Sequence, residues 1–190
     1  MKPPTNATEE KFKAFDGKSP QVLHVATHGF FLDEKSKNDL HNDPGGIAFK
    51  AQANSMFRSG LVLAGGNETW NNETVSEGTE DGILTAYEIA QLDLSNTNLV
   101  VLSACNTALG DIQNNEGVIG LQRAFRMAGV KQLMMSLWRI PDKQTTELMT
   151  LFYRNWLGGQ STTEALRSAQ LKIKEKFSSP YYWAGFVLVE

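Results

Sequence analysis

Cysteine is almost missing from this 190-residue sequence; the one present is Cys105. A single cysteine excludes an intrachain disulfide and fits a reducing compartment such as the cytoplasm. Long hydrophobic runs are missing too: none approaches the roughly 20 apolar residues that cross a bilayer. The first ten residues, Met1 to Glu10, contain no apolar signal region, which argues against secretion. Charge of one sign is also lacking. With 18 basic and 21 acidic side chains the net charge is −3, so neither nucleic acid nor an anionic membrane is expected as a partner. Gly65-Gly66 has no Lys-Ser/Thr tail, so nucleotide binding has no phosphate-loop motif. His24, His28, His41 and Cys105 show no recognisable zinc-ligand spacing. No metal and no cofactor are expected, and no internal repeat or low-complexity segment is visible.

What is present suits one soluble globular domain: 41% of residues are hydrophobic and 21% charged. The chain is organised around Asn98 to Thr107, N-L-V-V-L-S-A-C-N-T. Leu99 to Leu102 form an apolar run without alternation, as expected of a strand buried on both faces. Polarity returns at Asn106, so Cys105 is expected where the strand stops, and open α/β sheets bind ligands beyond such carboxyl ends. Gln21 to Ala26 is a second buried strand, running into Thr27, His28, Gly29 and Phe30. Further strands are expected at Gly60–Ala64, Val130–Trp138 and Trp183–Val189.

Helices are expected between them. Ala7–Phe15 makes a short one with Phe12 and Phe15 inward. A capping box at Thr85 and Glu88 starts another. Glu116–Ala128 carries a stripe of Val118, Leu121, Phe125 and Ala128, with Gly129 placed to end it. Two more follow, one entered at Pro141-Asp142 with Leu148, Phe152 and Trp156 inward, the other capped by Ser161 and Glu164. Strands alternating with helices read as an α/β fold with a mostly parallel sheet between helical layers.

Four stretches, H-V-A-T-H-G-F-F at 24–31, L-S-A-C-N-T-A at 102–108, G-L-Q-R-A-F-R-M-A-G at 120–129 and S-L-W-R-I-P-D-K-Q-T at 136–145, carry a resemblance. In that order and spacing they resemble the CHAT domain, a branch of the caspase-like cysteine peptidases related to separases and often found beside TPR arrays. The resemblance implies a three-layer α/β/α caspase-like fold over residues 21–190. It leaves residues 1–20 as an extension, partly disordered or a short helix, and the fold's first strand is expected to be missing. It also implies a Cys-His dyad of His28 and Cys105, acting on a protein or peptide substrate, with TPR or other domains of a longer protein as further partners.

The chemistry follows from the residue types. A thiolate is the attacking species, and a free thiol near pKa 8.5 is only a few per cent ionised at neutral pH. His28 can raise that fraction or protonate a leaving amine. By the same resemblance Gly29 and Cys105 supply the N–H groups of the oxyanion site. The competing reading is an inactive CHAT-type interaction module, and retention of both His28 and Cys105 favours the peptidase. Cys105 by itself reads as a small core residue. His24, inside its strand, reads as a satisfied core histidine, and His41 as solvated in a polar loop. Asp142 carries two readings: a substrate-binding carboxylate for a basic residue, as separases resemble here, or the N-cap of the next helix. Arg139 is the competing specificity residue, which would favour an acidic one.

Overall fold

The structure, a computed structural model, describes residues 7–31, 56–67, 80–103 and 116–190, with the main chain alone for 116–118. Cys105, His41 and the Asp43–Gly46 turn lie outside the described residues. Numbered among those described, the strands are β1 (Val22–Val25), β2 (His28–Phe31), β3 (Ser59–Val62), β4 (Ile83–Thr85), β5 (Leu99–Leu102), β6 (Gln132–Ser136) and β7 (Phe186–Val189). The helices are α1 (Glu9–Lys13), α2 (Ala86–Ile89), α3 (Glu116–Met127), α4 (Asp142–Leu157) and α5 (Thr162–Lys176), with a 3-10 turn at Pro180–Tyr182.

Four strands form the main sheet in the order β1-β5-β6-β7. β1, β5 and β6 are parallel, and β7 closes the far side antiparallel to β6. β5 sits inside the sheet, and all four of its side chains are buried. They divide by alternation. Val100 and Leu102 join Phe12, Leu23, Leu121 and Phe125 on one face; Leu99 and Val101 join Leu148, Phe152, Ala165 and Ile173 on the other. The unbroken apolar run therefore reflects two separate cores and three layers, as expected from the sequence.

Local chemistry sets the helix boundaries. At α2 and α5, Thr85 and Ser161 each accept from the backbone N–H three residues on, while Glu88 and Glu164 reach back to the cap N–H. Gly129 ends α3 at φ +89, a left-handed conformation costly for any residue with a Cβ. α4 departs from one expectation. Its N-cap is Pro141, with no side-chain cap bond, and Asp142 is the first helical residue. Pro141, at φ −59 and ψ 142, supplies the extended entry, and its carbonyl accepts from Gln144 and Thr145. Asp142 thus meets the helix through its position in the first turn, where a carboxylate faces the positive end of the dipole.

A second sheet was not foreseen. β2, β3 and β4 are antiparallel neighbours, with His28 opposite Val62 and Gly29 opposite Leu61. The Gly60–Ala64 strand thus belongs here, outside the parallel sheet, and His28 opens β2 where it was expected to end the first parallel strand. The physical cause lies between β1 and β2. The Thr27 hydroxyl donates to the Val62 carbonyl, which draws the chain out of the parallel sheet and onto β3.

β1 is an edge strand, with nothing paired to its outer side among the described residues. Leu99 N–H donates to the Gln21 carbonyl and Ser103 N–H to that of Val25, so those residues face β5. Alternation then turns the N–H and C=O of Val22 and His24 outward.

Two outcomes follow. Phe125→Ala, deep in the first core, costs about 3–5 kcal/mol in denaturant unfolding, whereas Ser161→Ala costs about 1 kcal/mol. With no partner among the described residues, the β1 edge is expected to make the chain self-associate with rising concentration. Val22→Pro, at the first strand position where an outward N–H is lost without touching the β5 ladder, weakens that association in light scattering; a wild-type chain monomeric at every concentration would show the edge to be closed.

Candidate functional site

β1 and β5 run side by side with Val25 opposite Leu102, and β6 continues the row with Met135 opposite Leu102. Because all three strands are parallel, their carboxyl ends open on one side of the sheet. His28 lies three positions beyond Val25, and Cys105 lies three positions beyond Leu102. The two candidate reactive residues therefore leave adjacent strands at matching distances along the chain, although Cys105 itself is outside the described residues.

His28 is exposed, and Gly29 beside it is buried. His28 is held by its pairing with Val62, and the Thr27 hydroxyl bonds the same Val62 residue from one position earlier. A cleft of about 830 Å³ opens at this point, lined by Phe12, Phe15, Leu23, Val25, His28 and Val62 among others. One wall is α1 and the other is β1. The lining is mixed: Phe12, Phe15, Leu23 and Val62 are apolar, while Lys11, His24, Thr27 and His28 bring polar groups into it, a combination suited to holding an extended chain beside an imidazole.

Arg139 and Asp142 follow the end of β6, the strand next to β5, and both are exposed. Between them Ile140 is buried in the second core, and Trp138 donates its ring N–H to the Tyr181 carbonyl at 2.9 Å. These anchors fix the base of the segment and leave the two charged side chains in solvent. Both follow the carboxyl end of β6, on the side of the sheet where the parallel strands β1 and β5 also end.

His24 corrects the sequence reading. It is exposed at the sheet edge rather than set in the core, and its Nδ1 lies 3.0 Å from the Tyr153 hydroxyl of α4. Desolvation by the surrounding chain holds the imidazole below its usual pKa of 6.5 and raises the Tyr153 phenol. A neutral ring facing a protonated phenol suits Tyr153 as the donor. Tyr153 had no sequence signal as a partner for His24, since 129 positions separate them.

Among the described residues the one group of three potential metal-ligating side chains is Glu9, Glu80 and Glu88. The ammonium of Lys13 lies within 2.9 Å of each of them, so the position a cation would occupy is already filled. No helix of the described residues is long and apolar enough to cross a membrane.

Comparison with known proteins comes from two directions. The CHAT domain family model matches residues 2–190. Tetratricopeptide repeat protein 28 of Mus musculus is 34% identical over 109 residues, which is 56% of this chain and 4% of that protein. The Homo sapiens protein of the same name matches to the same extent. The chain therefore spans about 4% of the length of these curated relatives.

The His24 ring gives a pH signature. Its folded pKa is below the unfolded value of 6.5, so the unfolded state binds the proton first and this contribution to stability is lost as pH falls below 6.5. In thermal melts between pH 7.5 and 5.5, the stability of wild type relative to His24→Gln should fall as the pH is lowered. A difference that stays constant with pH would mean that the ring titrates alike in both states.

Proposed function

The chain belongs to the CHAT domain family, and from that premise we propose that it is a caspase-like cysteine endopeptidase cutting a protein or peptide partner. Cys105 is the nucleophile and His28 the general acid and base. The observation that carries this reading is the register, in which neighbouring parallel strands release His28 and Cys105 three positions beyond paired residues. Neighbouring strands of one sheet bring the two departure points side by side, and the pairing of β2 with β3 holds His28 just beyond the end of β1.

The steps follow from those roles. His28 takes the thiol proton as Cys105 Sγ attacks the scissile carbonyl carbon, and the negative charge moves to the carbonyl oxygen. The N–H groups of Gly29 and Cys105 receive that oxyanion. As the C–N bond breaks, His28 returns the proton to the departing amine. Water, deprotonated by His28, then attacks the thioester and releases the second product with regeneration of the thiol.

Substrate choice falls to the segment after β6. Pro141, not Asp142, is the N-cap residue of α4, which removes one competing use for the Asp142 carboxylate. It is the residue proposed to pair with a basic side chain before the cut bond, an arrangement that suits bidentate Arg. Arg139 is the alternative and selects an acidic residue. The tetratricopeptide name of the relatives supports TPR domains as neighbours in a longer protein, and the cytoplasm is the proposed location.

An electrophilic peptide probe tests the nucleophile. Wild type is labelled at Cys105, Cys105→Ala is not, and His28→Ala slows labelling by roughly 10²–10⁴-fold. Labelling that persists in Cys105→Ala would identify a different nucleophile. A wild type refractory to the probe panel, alone and with cell extract, would favour the inactive interaction module. For specificity, Asp142→Asn should change stability by less than about 1 kcal/mol while losing cleavage after Arg or Lys in a peptide library. Loss of cleavage after acidic residues on Arg139→Gln would instead assign the pocket to Arg139.

A further inference from the structure

Lys13, near the end of α1, holds three carboxylates at once. Its Nζ lies 2.7 Å from Glu9, 2.9 Å from Glu80 and 2.9 Å from Glu88. Glu9 is only 1% exposed, and its second oxygen accepts the Gly82 N–H at 2.8 Å. Gly82 has little freedom to move away. It sits at φ +76, and a Cβ there would lie 2.2 Å from the Gly66 nitrogen. Beside it, the Glu80 N–H donates to Glu10 at 2.9 Å. Apart from the Lys13–Glu9 pair inside α1, these bonds run from α1 to the segment 80–88, which carries β4 and the start of α2. The same helix contributes Phe12 to the wall of the cleft that His28 also lines, and Phe15, just after the helix, adds to that wall.

We propose that the Lys13 cluster is a proton-operated clamp: it fastens α1 to the β4–α2 corner when Glu9 carries a proton and loosens it when that proton leaves, so changing the cleft beside His28. This inference concerns the docking of α1 and does not rest on the peptidase reading.

Charge counting gives the reason. Glu9, Glu80 and Glu88 face one ammonium, and Asp81 adds a fourth negative group to the field at Glu9. Glu10 lies on the same helix and is engaged with the Glu80 N–H. With Glu9, Glu80 and Glu88 all ionised, the one charge of Lys13 leaves these three carboxylates net negative in a partly dry setting, where repulsion is weakly screened. The least hydrated member gives way most readily. Burial is the largest influence on Glu9, opposed by its bond to Lys13 and reinforced by Glu88 and Asp81, and its pKa rises from 4.5 to about 7. Glu88 moves the other way: its bonds to Lys13 and to Thr85 outweigh burial and hold it below the usual range.

The signs separate the two groups by pH. For Glu9 the docked state binds the proton more tightly than the undocked one, so docking weakens as pH rises from 4.5 through 7. For Glu88 the docked state prefers the anion, so its contribution is lost only as pH falls below 4.5. The clamp is therefore tightest near pH 5 and weaker above neutrality, with the change falling where cellular pH varies.

Amide hydrogen exchange, corrected for intrinsic pH dependence, reads this directly. In wild type, protection of residues 9–13 and of Gly82 should drop roughly tenfold between pH 5 and pH 8, within the limit set by the two pKa values. In Glu9→Gln, which keeps an acceptor for Gly82 but cannot ionise, protection should be high and independent of pH over the same range. Glu80→Gln, at a half-exposed position, should move the transition to lower pH. Carboxyl carbon NMR of the intact wild type gives a reading independent of any variant, with Glu9 titrating near 7. A Glu9 midpoint in the ordinary range near 4.5, a wild-type change below about threefold, or an unchanged pH response in a folded Glu9→Gln would overturn the clamp.

Discussion

Burial of β5 on both faces is the constraint on which the rest of the structure depends. A strand with four apolar side chains and no exposed face needs a core above and a core below, so helices must pack on both sides of it. α3 supplies Leu121, Ala124 and Phe125 to one core, and α4 and α5 supply Leu148, Phe152, Ala165 and Ile173 to the other. Neighbours on both edges follow as well, because a buried backbone cannot leave its N–H and C=O unpaired. β1 and β6 fill those places in parallel. Three parallel carboxyl ends on one side of the molecule are the direct result, and the candidate residues leave from that side.

The small antiparallel sheet has a different origin and a different effect. β5 is held by core on every side, whereas β2 is held by its pairing with β3, and His28 is exposed at its start. Where the chain leaves β1, the bond from Thr27 to Val62 substitutes for a continued place in the parallel ladder. The imidazole is thus carried on a strand that is anchored at its base and open to solvent at its side. Rigid support with an accessible group is what the role proposed for His28 would require.

α1 is five residues long, too short to be stable by itself. Its position is set by two dissimilar interactions, the packing of Phe12 against Phe125 and the ionic group around Lys13. The apolar contact is insensitive to pH and the ionic one is not. A helix held in this way is anchored by the first and adjusted by the second, and it forms a wall of the cleft at His28.

The sequence by itself determined what depends on neighbours along the chain. The apolar run at 99–102, the capping boxes at Thr85 and Ser161, the stripe through Leu121 and Phe125 and the stop at Gly129 are each read within a few residues, and each lies where expected. The four motif stretches carried the family in the same way, as strings of local residues, and with it the candidate pair His28 and Cys105. Tertiary structure alone decided whatever joins distant segments. That β2 turns away to pair with β3 depends on Thr27 meeting Val62, 35 positions on. That His24 meets Tyr153 depends on α4 crossing the sheet edge. That Glu9 is buried depends on α1 docking against residues 80–88, since nothing in E-E-K-F-K separates a buried glutamate from a solvated one. Short-range patterns record backbone preference and hydrophobic periodicity, whereas desolvation and charge crowding exist only once the chain has closed on itself.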